Sequence, residues 1–319
     1  MPEPSPNVRL QLLNTPENVV LVREVLTGVA EAVQIATSDL NDIRTAVTEA
    51  CNNVVLHAYR GAPGPMEVEV CLALDAVSAT VRDRGTGLKS SKDGFDGDTR
   101  RISDDDEREP DGDEHDGDEY EGEREDQQGV AGLGEEEYPS AGIGLHVIET
   151  LAGEVKFECT PGGGTEVRMR FDVPAQAPPP CVQQSAATTD ALAQTPPTAI
   201  VSIAPLPLAG TVLPRLVSTL AARAHFSTDR ISDAQLLADA LAAHAAEALS
   251  GDQLDIGVNV DSRKLELHVA PLRSGLARGL LEESELDGLG SVIEKLTDRR
   301  DVATVGPYEA LTLGLLDKR

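Results

Sequence analysis

The stretch Glu49-Ala50-Cys51-Asn52-Asn53-Val54-Val55-Leu56-His57-Ala58-Tyr59 decides how this sequence is read. Together with Ile43 and Val47, its Ala50 and Val54 mark one apolar stripe, so the spacing predicts a helix from about Asn41 to Tyr59. Glu49, Asn53 and His57 recur at every fourth residue and share a second face. That face lies about 100° around the helix from the stripe, the angle between adjacent residues. On this helix alone, an acid, an amide and an imidazole in a row read first as a solvated side.

The segments that follow change that reading. Val77, Ala79 and Val81 line one face of a predicted strand that ends at Asp83-Arg84-Gly85-Thr86-Gly87. Glycines there let the backbone turn sharply and approach a ligand. An Asp at such a turn can accept a hydrogen bond from the exocyclic amine of a nucleobase. Further on, Gly142-Ile143-Gly144-Leu145 opens a predicted helix to Ala152, whose free N–H groups and positive dipole end suit phosphates. Gly163-Gly164-Thr165 then starts the last strand of this part, with a hydroxyl placed to support the Asp83 contact. Each glycine motif alone is weak; the four in this order are a strong signal.

Taken together, this ordered set resembles the Bergerat-type ATPase superfamily, which includes histidine kinases, gyrase-type ATPases and Hsp90. The His-Ala-Tyr ending and the short glycine-led helix resemble its anti-sigma-factor serine kinase branch most closely. The resemblance covers residues 7–173 apart from an acidic insertion. It implies an α+β sandwich with helices on one face of a mainly antiparallel sheet, and ATP with Mg²⁺ as the bound groups. Glu49 would be the general base acting on a serine hydroxyl, and Asn53 would hold Mg²⁺. Asp83 would read the adenine amine with Thr165 in support. Gly85, Gly87, Gly142, Gly144, Leu145 and Gly164 would line the nucleotide pocket. His57 is read as structural. The partners implied are an anti-anti-sigma-type protein and a sigma factor.

Composition sets the outer limits. At 319 residues the chain has room for two domains, and with four Phe, four Tyr and no Trp its cores are aliphatic. No stretch approaches the roughly 20 apolar residues of a membrane span, and Met1 to Asn7 lacks the features of a signal peptide. The four cysteines, Cys51, Cys71, Cys159 and Cys181, show no metal-ligand spacing. A cytoplasmic protein with reduced thiols is the expectation. No basic stripe points to direct nucleic-acid binding. There is no Walker-type Gly-Lys-Ser/Thr segment and no kinase-like His-Arg-Asp loop, so the commoner ATP sites are unsupported.

Net charge is −28, and residues 91–138 carry 21 acidic against five basic side chains, a net of −16. The family joins its Asp-x-Gly-x-Gly turn to the glycine-led helix by a short lid. Here an insertion at about 89–140 takes that place, and its composition predicts disorder. It reads first as solvated chain; the sharper expectation is a polyanionic lid that competes with ATP phosphates or diverts Mg²⁺. Gly129 to Gly134 reads as spacer because no apolar strand precedes it.

Residues 174–198, rich in Pro, Ala, Gln and Thr, read as a linker. After it the order of elements returns, with strands near 199–203, 254–260, 264–270, 301–305 and 309–316 and helices near 212–224, 229–249 and 289–297. Residues 199–319 are thus read as a degenerate second copy without a nucleotide site. Ala240, His244 and Pro271 stand where Glu49, Asn53 and Asp83 do, and Tyr308 falls near the Thr165 position; only Gly288 and Gly290 echo Gly142 and Gly144. The sequence therefore predicts an ATP-binding protein-serine kinase that acts as an anti-sigma switch, as a dimer or an intrachain pseudo-dimer. A non-catalytic, ATP-dependent partner switch is the main alternative. The ATP domain of a histidine kinase is weaker, since no helix with a phospho-acceptor histidine precedes it.

Overall fold

The structure is a computed structural model that describes residues 6–86, 140–160, 163–174, 197–283, 285–286 and 290–318. The acidic insertion, its Gly129–Gly134 run and nearly all of the linker lie outside the described residues.

The first half runs β1 (Val8–Leu13), α1 (Pro16–Ala32), α2 (Thr37–Asn53), β2 (Pro65–Leu72), β3 (Ala76–Asp83), α3 (Ser140–Leu151), β4 (Glu154–Cys159) and β5 (Thr165–Asp172). The second half runs β6 (Ala199–Ile203), α4 (Ala209–Arg223), α5 (Thr228–Ala248), β7 (Leu254–Asp261), β8 (Lys264–Arg273) and α6 (Leu276–Glu283). It continues through β9 (Glu285–Leu286), β10 (Gly290–Ser291), α7 (Val292–Leu296), β11 (Arg299–Val305) and β12 (Tyr308–Leu316). Apart from β9 and β10, which pair only with each other, the strands form one antiparallel sheet ordered β11-β12-β8-β7-β6-β1-β2-β3-β5-β4.

Alternation along the strands explains the two layers. Leu10, Val68, Ala79 and Met169 point to the buried face, as do Val201, Ile256, Leu267 and Leu313 in the second half. The helices supply the other side of this core: Leu21, Val25 and Val29 from α1, Ile43, Val47 and Ala50 from α2, Leu213, Leu216 and Leu220 from α4. Burying one such aliphatic side chain is worth about 1.5–3 kcal/mol, so the stripes fix how the helices lie. The opposite face of the first half is polar. Register places Arg9 across from Glu69, Glu67 across from Arg82 and Arg82 across from Glu166. Arg82 reaches Glu69 at 2.7 Å and Glu67 at 3.0 Å, and also pairs with Glu166, which in turn accepts from Arg168. Cross-strand charge pairs contribute about 0.2–1 kcal/mol each and reinforce the register that the apolar face sets.

β1 lies at the middle of the sheet because both of its edges are used. It pairs with β2 through Val8↔Val70 and with β6 through Val8↔Ile203. Asn7 ties the three strands: its Oδ1 accepts from Leu72 N at 2.7 Å and its Nδ2 donates to Ala204 O at 3.1 Å. Above this seam α1 packs on α4. Arg215 Nη2 meets Glu31 Oε2 at 2.6 Å, and Arg223 Nη1 donates to Asn18 Oδ1 at 2.7 Å.

Thr15-Pro16-Glu17 has the sequence form of a helix start, a hydroxyl cap followed by proline and an acid. Thr15 does occupy the N-cap of α1, but its hydroxyl makes no capping bond; Asn18 N instead donates to the Thr15 carbonyl at 3.0 Å. α2 begins at Thr37, four residues before the predicted start, after an N-cap alanine that leaves no side-chain signal. α6 is an addition to the elements that the sequence predicts. No helix among the described residues is long and apolar enough to cross a membrane.

Candidate functional site

α2 is held to the sheet by Ile43, Ala46, Val47, Ala50 and Cys51, all buried. That anchoring leaves Glu49 and Asn53 half-buried on the flank toward α3. α3 is itself pinned to the core by Ile148, which is fully buried. It brings Gly144 over the pair: a Cβ on Gly144 would lie 3.2 Å from Glu49 Oε2 and 3.6 Å from Asn53 Oδ1. The carboxylate, the amide oxygen and the backbone of α3 thus converge on one spot. α3 starts at Ser140, so Gly142 and Gly144 lie inside its first turns rather than ahead of them. Leu145 is half-buried beside them.

The α-helix does not continue to Tyr59. It ends at Asn53, and Val54–Ala58 winds as a π-helix. Because a π-turn closes i→i+5, the four-residue repeat no longer keeps His57 in line with Glu49 and Asn53. His57 is exposed. The wider turn carries the Ala58 carbonyl to the exit of β3, where it accepts from Thr86 N at 2.9 Å. Gly85 passes so close that a Cβ there would fall 2.1 Å from Ala58 O, which only glycine permits.

Asp83 ends β3 with 4% of its surface exposed. Its Oδ1 accepts from Gly85 N at 2.7 Å and its Oδ2 from Thr165 N at 3.1 Å. An ionised carboxylate has about four lone-pair directions, so two remain for a ligand donor. Thr165 therefore reaches Asp83 through its backbone N–H, and not through the hydroxyl that the sequence suggests. The approach depends on Gly164, which has φ +96° and would put a Cβ 2.3 Å from Asp83 O. Gly87 lies outside the described residues.

Tyr59 completes the turn. Its hydroxyl donates to Pro65 O at 2.5 Å and accepts from Arg84 N at 2.7 Å. Burial first, and then the charge of Asp83, push the phenol above its ordinary pKa, against the opposing Arg84 contacts. The Ala58 carbonyl and the Tyr59 hydroxyl had no assigned role in the sequence. Tyr59 was visible only as the end of the His-Ala-Tyr run, and the π-turn that places it has no local signature.

Comparison with known proteins identifies the family. The histidine kinase-like ATPase domain matches residues 12–171, which span every one of these groups. The anti-sigma F factor of Caldanaerobacter subterraneus subsp. tengcongensis is 26% identical over 162 residues, 51% of this chain and 90% of that protein. The serine-protein kinase RsbW of Bacillus mycoides is 30% identical over 91 residues, 28% of this chain and 57% of that protein. With the domain match covering half of its length and both the Glu49–Asn53–Gly144 group and the Asp83 turn inside it, the chain belongs to the histidine kinase-like ATPase domain family.

Proposed function

We propose that this protein binds one Mg²⁺–ATP per chain in its first half and transfers the γ-phosphoryl group to a serine of an anti-anti-sigma-type protein. The same chain would hold a sigma factor when that antagonist is phosphorylated. The observation that carries the reading is the convergence of Glu49, Asn53 and Gly144 on one spot, with Asp83 separately clamped by two N–H groups. The names of the relatives, an anti-sigma factor and a serine-protein kinase, support the partner class.

The residues present fit the bound group. Gly144 leaves room beside an acid and an amide for a phosphate chain, and Asp83 offers lone pairs to an amine. Asn53 Oδ1 is a neutral oxygen of the kind that hard Mg²⁺ accepts while keeping several waters. Among the described residues no cluster of three or more His, Cys, Asp or Glu would hold a metal unaided; a Mg²⁺ shared with phosphates fits that donor set. When bound, Mg²⁺ neutralises charge on the phosphates. Glu49 would take the proton from the serine hydroxyl as its oxygen bonds to phosphorus and the bond to the leaving diphosphate oxygen breaks.

The second half supports a single site. Pro271 stands two residues after Val269, which pairs with Ile256, as Asp83 stands two residues after Val81, which pairs with Val68. A proline offers no carboxylate, and Ala240 and His244 on α5 replace the acid and amide. We infer that this half serves as a built-in second subunit, seated on α1 and β1.

Incubation with γ-labelled ATP and a candidate antagonist tests the reading. Glu49→Gln should abolish transfer while nucleotide binding persists. Equal labelling by wild type and variant would refute Glu49 as base, and binding without any transfer by the wild type would favour the partner switch.

A further inference from the structure

The nucleotide site as read above makes no use of the Tyr59 hydroxyl, yet that group touches the Asp83 turn directly. The three N–H groups that follow Asp83 are all fixed. Arg84 N donates to Tyr59 Oη at 2.7 Å, Gly85 N to Asp83 Oδ1 at 2.7 Å and Thr86 N to Ala58 O at 2.9 Å. Two of the three acceptors therefore belong to the end of the helix segment that carries Glu49 and Asn53.

The phenol is itself oriented. Its proton goes to Pro65 O at 2.5 Å, so a lone pair is left facing Arg84 N. Pro65 precedes Met66, the residue registered opposite Asp83. The ring packs against Gly64, where a Cβ would come within 2.3 Å of ring carbons Cδ1 and Cε1. Gly64 is in turn tied to Asn14, its N donating to Asn14 Oδ1 at 2.7 Å and its O accepting from Asn14 N at 2.9 Å. One hydroxyl thus spans from the start of β2 to the end of β3.

A purely structural role would show as lost stability. Arg84 is exposed, however, so water can satisfy its N–H once the phenol is gone. What water cannot supply is position: the N–H held by Tyr59 adjoins the residue whose carboxylate must meet the base. We propose that Tyr59 is a positioning residue that sets adenine selectivity by holding the Asp83 turn in register with the phosphate end of the site. The proposal rests on the reading of Asp83 as the group that meets the base.

The test is equilibrium binding of Mg²⁺–ATP and Mg²⁺–GTP to the full chain by calorimetry, for wild type, Tyr59→Phe, Gly64→Ala and the distant Leu74→Ala. Tyr59→Phe removes the bonds to both Pro65 O and Arg84 N; the one that holds the turn corresponds to about a three- to tenfold change in affinity. Tyr59→Phe should weaken ATP by about that factor, leave GTP nearly unchanged, and so shrink the ratio of the two Kd values while Tm moves little. Gly64→Ala should act in the same direction by displacing the ring, and Leu74→Ala should match the wild type. A Tyr59→Phe protein with the wild-type ratio, or with ATP and GTP weakened equally, would overturn the role of Tyr59 and leave the nucleotide site standing. A wild type that binds ATP without preference over GTP would overturn the base-reading role of Asp83 and this proposal with it. A wild type that binds neither would overturn the ATP site as a whole.

Discussion

Glu49, Cys51 and Asn53 lie within five residues of one another and meet different surroundings. Glu49 and Asn53 flank the approach of Gly144, whereas Cys51 is fully buried under the same helix. Burial pushes the Cys51 thiol up to about 12, so almost no thiolate is present near neutral pH and the group is inert as a nucleophile. Cys159, at the end of β4, is exposed. Alkylation of the native protein at about pH 8, below the ordinary thiol value near 8.5, followed by peptide mass analysis, should modify Cys159 and spare Cys51 until the chain is unfolded. Equal modification of both in the native state would contradict the packing of α2 against the sheet. The sequence shows Cys51 on the apolar side of its helix, but the contrast with its neighbours needs the position of α3, which no local pattern provides.

At the scale of elements, the charged ladder on the open face of β1, β2, β3 and β5 makes a pH-dependent contribution. Burial opposes ionisation of Glu166, but the bonds and charges of Arg82 and Arg168 outweigh it and hold the carboxyl below its ordinary value. A group with a depressed folded-state pKa stabilises the fold above its unfolded value, and that contribution is lost as pH falls through the folded value. Glu166→Gln should therefore cost about 1–3 kcal/mol near neutral pH. The gap in Tm between variant and wild type should close as pH drops below the ordinary glutamate value of about 4.3. A gap that stays constant into strong acid would show that Glu166 acts through packing alone.

The same elements show why some of the fold was legible and some was not. Alternation reports which residues face the core: Val8, Leu10 and Leu12 in β1, Met66, Val68 and Val70 in β2, and Val77, Ala79 and Val81 in β3. Asp83 and Gly85 were readable as a turn, and Gly163-Gly164 as the lead into the last strand, because glycine's backbone freedom is a local signal. The π-turn at Val54–Ala58 was not, because the acceptor that rewards it, Ala58 O, meets Thr86 from a different strand. α6 was missed in the interval between β8 and α7, where the first half has no described counterpart. The partner of the β1 edge was equally invisible: a period-two pattern assigns a face to a strand and leaves its neighbour open.

At the scale of the whole molecule, each half presents the order strand, two helices, two strands, helix, two strands, with α6, β9 and β10 added in the second. Their first strands, β1 and β6, meet at the centre of one sheet, and α1 and α4 meet above them. The edge of β1 is thereby covered from within the chain, which also removes an exposed strand edge as a site of association. Among the described residues, only the first half gathers an acid, an amide and a clamped aspartate. One nucleotide site per 33.7 kDa chain is therefore expected. Calorimetric titration with a Mg²⁺-bound, non-hydrolysable ATP analogue should give one equivalent per chain for the wild type and none for Asp83→Ala. Two equivalents per chain, or saturable binding undiminished by Asp83→Ala, would contradict it.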